Sequence, residues 1–307
     1  MVNAAEDVYW MARHLERAED TARLIRAACK ILEDGDAPVD AGWELLLQIM
    51  GLEDAMAPTD PLGPMEVVRL LVLDHTNASG IVPSLRQSAD NARQLGPGLP
   101  GSVHTALAEL SREIDVSLRE HLVNGDFDAW LVAVVRRCGE LSSRLESGLD
   151  DDTQQTFYKL GALIERVDMT TRIVDLTTVA ESPDARRGGF AASTAWSHVL
   201  DALDARATFA ASGEASVTTP KVLAFVVDSA KFPRSLRSML NALAEMLTRL
   251  FDPARPLRAL RQVERLLKRH SSIGHPESLH DLMDLLQIRV AELHQSLTER
   301  YFQPEPV

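Results

Sequence analysis

The sequence predicts an all-α protein made of two pseudo-symmetric six-helix lobes, and three observations carry that reading. Apolar residues recur at helical spacing along nearly the whole 307-residue chain. Aromatics are scarce at 5% against 45% hydrophobic residues, and β-branched runs are rare. One segment also occurs twice: Tyr9, Glu16, Arg17, Thr21 and Arg23 are matched 149 residues on by Tyr158, Glu165, Arg166, Thr170 and Arg172. Apolar positions match between them (Met11/Leu160, Leu15/Ile164, Leu24/Ile173, Ile25/Val174), and Glu19/Asp168 keeps a carboxylate. Core packing explains the apolar matches but does not require a repeated Glu-Arg pair. The internal duplication divides the chain into lobes 1–150 and 151–307.

Each element follows from its punctuation. A long helix is expected over 3–34, with Asn3 as N-cap and Glu6 three residues on; Gly35 and Pro38 end it. A second, over 40–57, carries Trp43, Leu46, Leu47 and Met50 and stops before Pro58. After the turn at 61–64, a short helix holds Val67, Val68, Leu70 and Leu71, and Asp74-His75-Thr76-Asn77 breaks it. The next helix, 79–95, tolerates Pro83 in its first turn, and Asn77 and Ser79 suit its cap. The Gly/Pro run 96–101 is the strongest breaker, and helices 102–123 and 126–148 follow. The second half repeats the order: a long helix 153–180, a loop 181–190, Trp196 in place of Trp43, and a segment ending Pro233-Arg-Ser-Leu-Arg237 that mirrors Val82-Pro-Ser-Leu-Arg86. A last pair, 256–271 and 276–302, mirrors 102–148.

On the first long helix, Tyr9, Glu16 and Arg23 are seven apart and form one stripe, as do Tyr158, Glu165 and Arg172. The core set Val8, Met11, Leu15, Ala18, Ala22 and Ile25 lies on another face. Three readings of the stripe are open. It is an intrahelical ladder, with Arg13, Glu16, Asp20 and Arg23 at i,i+3 and i,i+4; or a buried clamp between the two long helices that fixes register; or a polar pocket in which Arg holds a carboxylate or phosphate and Glu an amine. The candidate ligand-binding residues are Tyr9, Glu16, Arg17, Arg23, Glu165, Arg166 and Arg172. Arg86 joins them because it shares a helical face with Arg93 beside a helix start.

Composition narrows the function. A net charge of −13 argues against a nucleic-acid surface or an anionic membrane as main partner. No segment reaches the ~20 apolar residues of a membrane span, and Glu6 and Asp7 stand where a signal peptide would be basic. Cys29 and Cys138 lie outside any CxxC and read as buried thiols, in keeping with a cytoplasmic setting. Arg outnumbers Lys 27 to 5, which suits bidentate contacts but is also the mark of a GC-rich genome. No metal site is expected: Glu277-Ser-Leu-His280 is a single Glu-x-x-His where a di-iron bundle needs two. No cofactor is expected either, since GxxxxGK[ST] and a strand-borne GxGxxG are both missing.

The stretches YWMARHLERAEDTARL, LGALIERVDMTTRIVDL and LLVLDHTNASGIVPSLRQSADNAR, in that order, resemble the alpha-E proteins, helical bacterial proteins named for a Glu-Arg motif and usually carried as a tandem duplication. The motif falls on Glu16-Arg17 and Glu165-Arg166, and the second copy departs where Met169 replaces Asp20 and Ala162 replaces Arg13. The resemblance implies neighbours rather than a chemistry: circularly permuted ATP-grasp ligases, transglutaminase-like proteins and proteasome-like amidohydrolases. The leading expectation is therefore a helical partner, or substrate-holding component, of an ATP-grasp-dependent peptide synthesis or modification system, with an amino-acid or peptide ligand. The alternatives are a stand-alone enzyme using Glu16 or Glu165 as acid or base, and a structural interaction module. An open cleft lined by the Glu-Arg residues favours the first two; a dry, fully paired network favours the third.

Overall fold

Two long helices sit at the centre because they bury residues on more than one side, as helices do when surrounded by others. The computed structural model describes residues 2–34, 39–52, 63–149, 151–181, 192–214, 216–273 and 279–303. Among these the fold is all-α, with no strand. The helices are α1 (Val2–Asp34), α2 (Val39–Ile49), α3 (Pro64–Val72), α4 (Ile81–Leu95), α5 (Gly101–Val123), α6 (Phe127–Gly148) and α7 (Asp152–Asp175). There follow α8 (Ala192–Ala202), α9 (Arg206–Ala211), α10 (Thr219–Asp228), α11 (Leu236–Thr248), α12 (Ala254–Ile273) and α13 (Leu279–Tyr301).

Helix α1 packs most extensively on α7, then on α4 and α6. The contacts run α1–α4–α5–α6 and back to α1, and α7–α11–α12–α13 and back to α7. Each half thus folds its hairpin of long amphipathic helices onto its own central helix, and the two central helices join the halves. The α1–α7 approach is close because Gly161 lacks a side chain: a Cβ there would overlap the carbonyl oxygen of Tyr9 and stand 3.3 Å from the Cβ of Ala12. Ala12 and Gly161 occupy equivalent places in the repeat, so small residues meet at the crossing.

Trp43 and Trp196 are both buried, on α2 and α8. These helices end alike. Gly51 N–H donates to the Gln48 carbonyl and Leu52 N–H to Leu47, while Asp204 N–H donates to Asp201 and Ala205 N–H to Leu200. Both turns need a left-handed residue, Gly51 at φ 68 and Asp204 at φ 53.

Several expected boundaries move. Helix α2 stops at Ile49, not 57, because the left-handed turn at Gly51 ends it; residues 53–62 lie outside those described. Helix α1 begins at Val2, which puts Asn3 inside the first turn instead of at the cap. Helix α7 gives way after Asp175 to a 3-10 turn, Leu176–Glu181. The second half holds seven helices among the described residues rather than six, the addition being the short α9. Helix α4 starts at Ile81, keeping Pro83 in its first turn as expected.

The crossing yields a direct test. Gly161→Ala forces backbone apart rather than a flexible side chain, so it is expected to lower stability by about 1–3 kcal/mol, the usual cost of overpacking. Urea denaturation measures it; an unchanged midpoint would mean that the helices cross more loosely than described.

Candidate functional site

The repeated pairs exchange partners across the crossing. Arg17 donates from Nε and Nη2 to Glu165 Oε1 and Oε2, at 2.5 and 2.9 Å. Arg166 uses the same two nitrogens on Glu16, at 2.5 and 2.7 Å. Each carboxylate also takes a second guanidinium: Arg13 Nε reaches Glu165 Oε2 at 2.9 Å, and Arg234 Nη2 reaches Glu16 Oε1 at 3.2 Å. Glu16 and Glu165 are 2% and 1% exposed. Burial alone would raise the Glu165 carboxyl, but Arg17 and Arg13 outweigh it and hold the group down at about 2. Glu16 is likewise held below its ordinary value, by Arg166 and Arg234 against burial. The two Glu-Arg pairs thus form a clamp with buried carboxylates and partly buried guanidiniums.

Its ends do something else. Arg23 donates to Glu19 Oε1 on its own helix and, from Nη1, to the Ala202 carbonyl at 2.8 Å and Asp204 Oδ2 at 2.6 Å. Arg172 binds Asp168 on its own helix and the carbonyl of Ile49. Ala202 and Ile49 are the last residues of α8 and α2, so each terminal Arg of the stripe meets the carbonyl end of a helix from the other half, where a cation is favoured.

Tyr9 is buried, and its hydroxyl lies 2.7 Å from His294 Nδ1. Burial pushes the phenol up to about 12 and the imidazole down to about 4, so the hydroxyl donates to a neutral ring. Tyr158 is paired with Ser142 at 2.8 Å. Arg86 is placed against the His75 ring, its Nη1 3.1 and 3.0 Å from the two ring nitrogens. In the same turn Asp74 accepts from Thr76, while Asn77 accepts from Ser79 N–H and donates to the Leu70 carbonyl. Asn77 therefore ties the turn to the end of α3, and the N-cap of α4 is Gly80, without a side-chain cap bond.

The structure also assembles groups that spacing did not reveal. Arg234, just before α11, bridges Glu16, Glu19 and Asp20, with Nη1 2.8 Å from Asp20 Oδ1. A signal for it exists in the repeat: Arg234 stands where the other copy has Pro83, and Asp20 where it has Met169, so the charge is present at both positions or at neither. Asp20 is fully buried, and its Oδ2 has no hydrogen-bond partner among the described residues. Burial, with Glu16 and Glu19 adding to it, raises this carboxyl to about 7 against the pull of Arg234 and Arg23. His280 lies between two carboxylates, Nδ1 2.8 Å from Asp175 Oδ2 and Nε2 3.5 Å from Asp284 Oδ2. These three side chains offer ligand atoms within 4.8 Å of one another. One ring nitrogen faces each acid, and the bond to Asp175 raises the His280 pKa. Glu277, which spacing associated with His280, lies outside the described residues.

Beside the Arg23 end of the stripe the surface opens. A cavity of about 380 Å³ is lined by Glu19, Arg23, Arg26, Arg136, Asp201 and Asp204 above Val132 and Val135. A second, of about 400 Å³, shares Arg26, Asp201, Ala202 and Asp204 with it and continues past Lys30 and His198.

A family described as a predicted alpha-helical domain with a conserved ER motif, Alpha-E, matches residues 2–302. The chain belongs to the Alpha-E family. No curated protein and no solved structure matches it. The Glu-Arg motif that names Alpha-E is, at both of its occurrences here, the α1–α7 clamp: three guanidinium bonds close each Glu, which makes the carboxylates suited to holding register more than to moving protons. Next to the clamp, the part of this Alpha-E chain open to solvent is the adjoining groove. No described helix is long and apolar enough to cross a membrane.

Two measurements test this electrostatic picture. Glu165→Gln strands Arg17 and Arg13 and is expected to cost about 3–5 kcal/mol in chemical denaturation; a loss under about 1 kcal/mol, the size of a surface pair, would show the carboxylate to be solvated. Asp20 gives a pH signature. Its folded pKa is raised above the unfolded value, so its stabilising contribution is complete below about pH 4 and is lost as pH rises towards 7. Across pH 4–7 the wild type should lose stability relative to Asp20→Asn, and parallel curves would contradict the raised pKa.

Proposed function

We propose that this Alpha-E chain is a helical, substrate-holding partner of an ATP-grasp-dependent bacterial peptide synthesis or modification system, with transglutaminase-like proteins as further partners. On this reading lobes 1–150 and 151–307 arose by duplication and are locked by the Glu-Arg clamp. The matched contacts support it: Arg17–Glu165 and Arg166–Glu16 exchange in kind, and Arg23 and Arg172 reach equivalent helix ends.

The observation that carries the holding role is the groove at the free end of the clamp, lined by both signs of charge. Such a lining suits a ligand with an amine and a carboxylate, the two groups an amide-forming ligase joins. That the sequence carries neither GxxxxGK[ST] nor a strand-borne GxGxxG supports leaving phosphoryl chemistry to the partner chain. The paired, buried clamp favours a second reading, a scaffold whose surface alone matters.

The purified chain is expected neither to hydrolyse ATP nor to bind it tightly by calorimetry. Adding the ATP-grasp ligase from the same genome should give ATP-dependent amide formation above that of the ligase alone. Turnover by the isolated chain would overturn the proposal in favour of a stand-alone enzyme. A ligase indifferent to the chain would leave the scaffold.

A further inference from the structure

We propose that the groove between α1, α6 and the end of α8 binds a short peptide with free amino and carboxyl termini, the carboxylate against Arg26 and Arg136 and the ammonium against Asp201 and Asp204. This deepens the holding role by naming the ligand class and its orientation.

Apart from the Glu19–Arg23 pair at the back, the charges are sorted by wall. Arg26 belongs to α1 and Arg136 to α6; Asp201 is in the last turn of α8 and Asp204 in the cap that follows. The carbonyl end of α8 opens on the acidic wall, where the helix dipole is negative and an ammonium is favoured. Guanidiniums on the opposite wall offer the planar fork that carboxylates take up bidentately. Between them the floor is apolar, with Val132 42% exposed, one of few large apolar side chains left in contact with solvent.

The present partners of these groups do not block the site. Arg26 pairs with Asp128, Arg136 with Glu140 and Asp201 with Arg206, all between side chains a third or more exposed. Exposed pairs of this kind cost little to open, so a ligand's own charges can replace one partner of each. Arg23 and Glu19, at the back, stay engaged with each other and hold the wall in place.

Asp204 is the second observation. It adopts φ 53, where the equivalent turn after α2 uses Gly51. Asp tolerates that left-handed conformation better than most L-residues, and the cap itself needs no side chain. The Asp carboxylate meets Arg23 with one oxygen at 2.6 Å while the side chain is 72% exposed at the groove. That exposure leaves the carboxylate accessible to an ammonium at the mouth of the groove. The two adjoining cavities, about 380 and 400 Å³, give more length than a single amino acid fills.

Calorimetry on the full chain with L-alanyl-L-alanine, its N-acetyl form, its C-terminal amide and free L-alanine tests the proposal. The free dipeptide should bind at least tenfold more tightly than either capped form and than alanine. Arg136→Ala should weaken the dipeptide about tenfold while leaving the amide unchanged; Asp201→Asn should weaken the dipeptide while leaving the N-acetyl form unchanged. Equal binding of free and capped peptides, or no binding at millimolar concentrations, would overturn it. Because the ligase is absent from this titration, such a failure is separate from failure of the partner reading: a ligase stimulated equally by wild type and Arg136→Ala would keep the partnership and discard the groove.

Discussion

Two buried carboxylates at one helix crossing, each held by a partly buried guanidinium from the other helix, set the terms for the rest of the molecule. Removing a carboxylate and a guanidinium from water is expensive, and only complete pairing makes it tolerable. Placing Glu and Arg next to each other on each helix solves this by exchange, since each strand of the seam offers the other both a donor and an acceptor. The contact is self-complementary in the way that isologous interfaces are. It also allows one register. A slip between α1 and α7 would break the two-pronged Arg17–Glu165 and Arg166–Glu16 contacts while the carboxylates stayed buried. Gly161 makes the exchange possible by letting the backbones approach closely enough for the side chains to reach.

Outward from the crossing the two helices diverge in chemistry. The α1 side adds Arg13 against Glu165 and gathers Glu16, Glu19 and Asp20 around Arg234. The α7 copy has Ala162 and Met169 at the corresponding places. Asp20 is left with one unpaired oxygen and a carboxyl that titrates near neutrality. Both stripes end on a helix terminus from the other half, but only the α8 end presents a carboxylate in its cap, Asp204 where α2 has Gly51. The open groove lies on that side, so the same asymmetry that enriches α1 in charge also supplies the accessible site.

Much of this architecture was legible from the residues. Helical periodicity and Gly/Pro punctuation gave the all-α class and most helix positions. Of the three readings of the stripe, the clamp between the long helices describes Arg166–Glu16 and Arg17–Glu165, while Arg172 turns to Asp168 and the Ile49 carbonyl. Tyr9 belongs to the packing of α13 through His294, a contact between residues 285 apart in sequence. The end of α2 was misplaced because a left-handed Gly51 cannot be told from an ordinary glycine by composition.

By itself the sequence determined the all-α class, most of the helices, which faces are apolar and that Glu-Arg chemistry occurs twice, because these are local consequences of spacing along one chain. Only the tertiary structure decided which charges are buried, which pair with which, and where the surface opens. Those outcomes depend on the angle and closeness at which α1 meets α7 and on the reach of Arg234 and Asp204 from far along the chain. A carboxylate's role follows from the donors around it and its distance from water, and neither is a property of its neighbours in sequence.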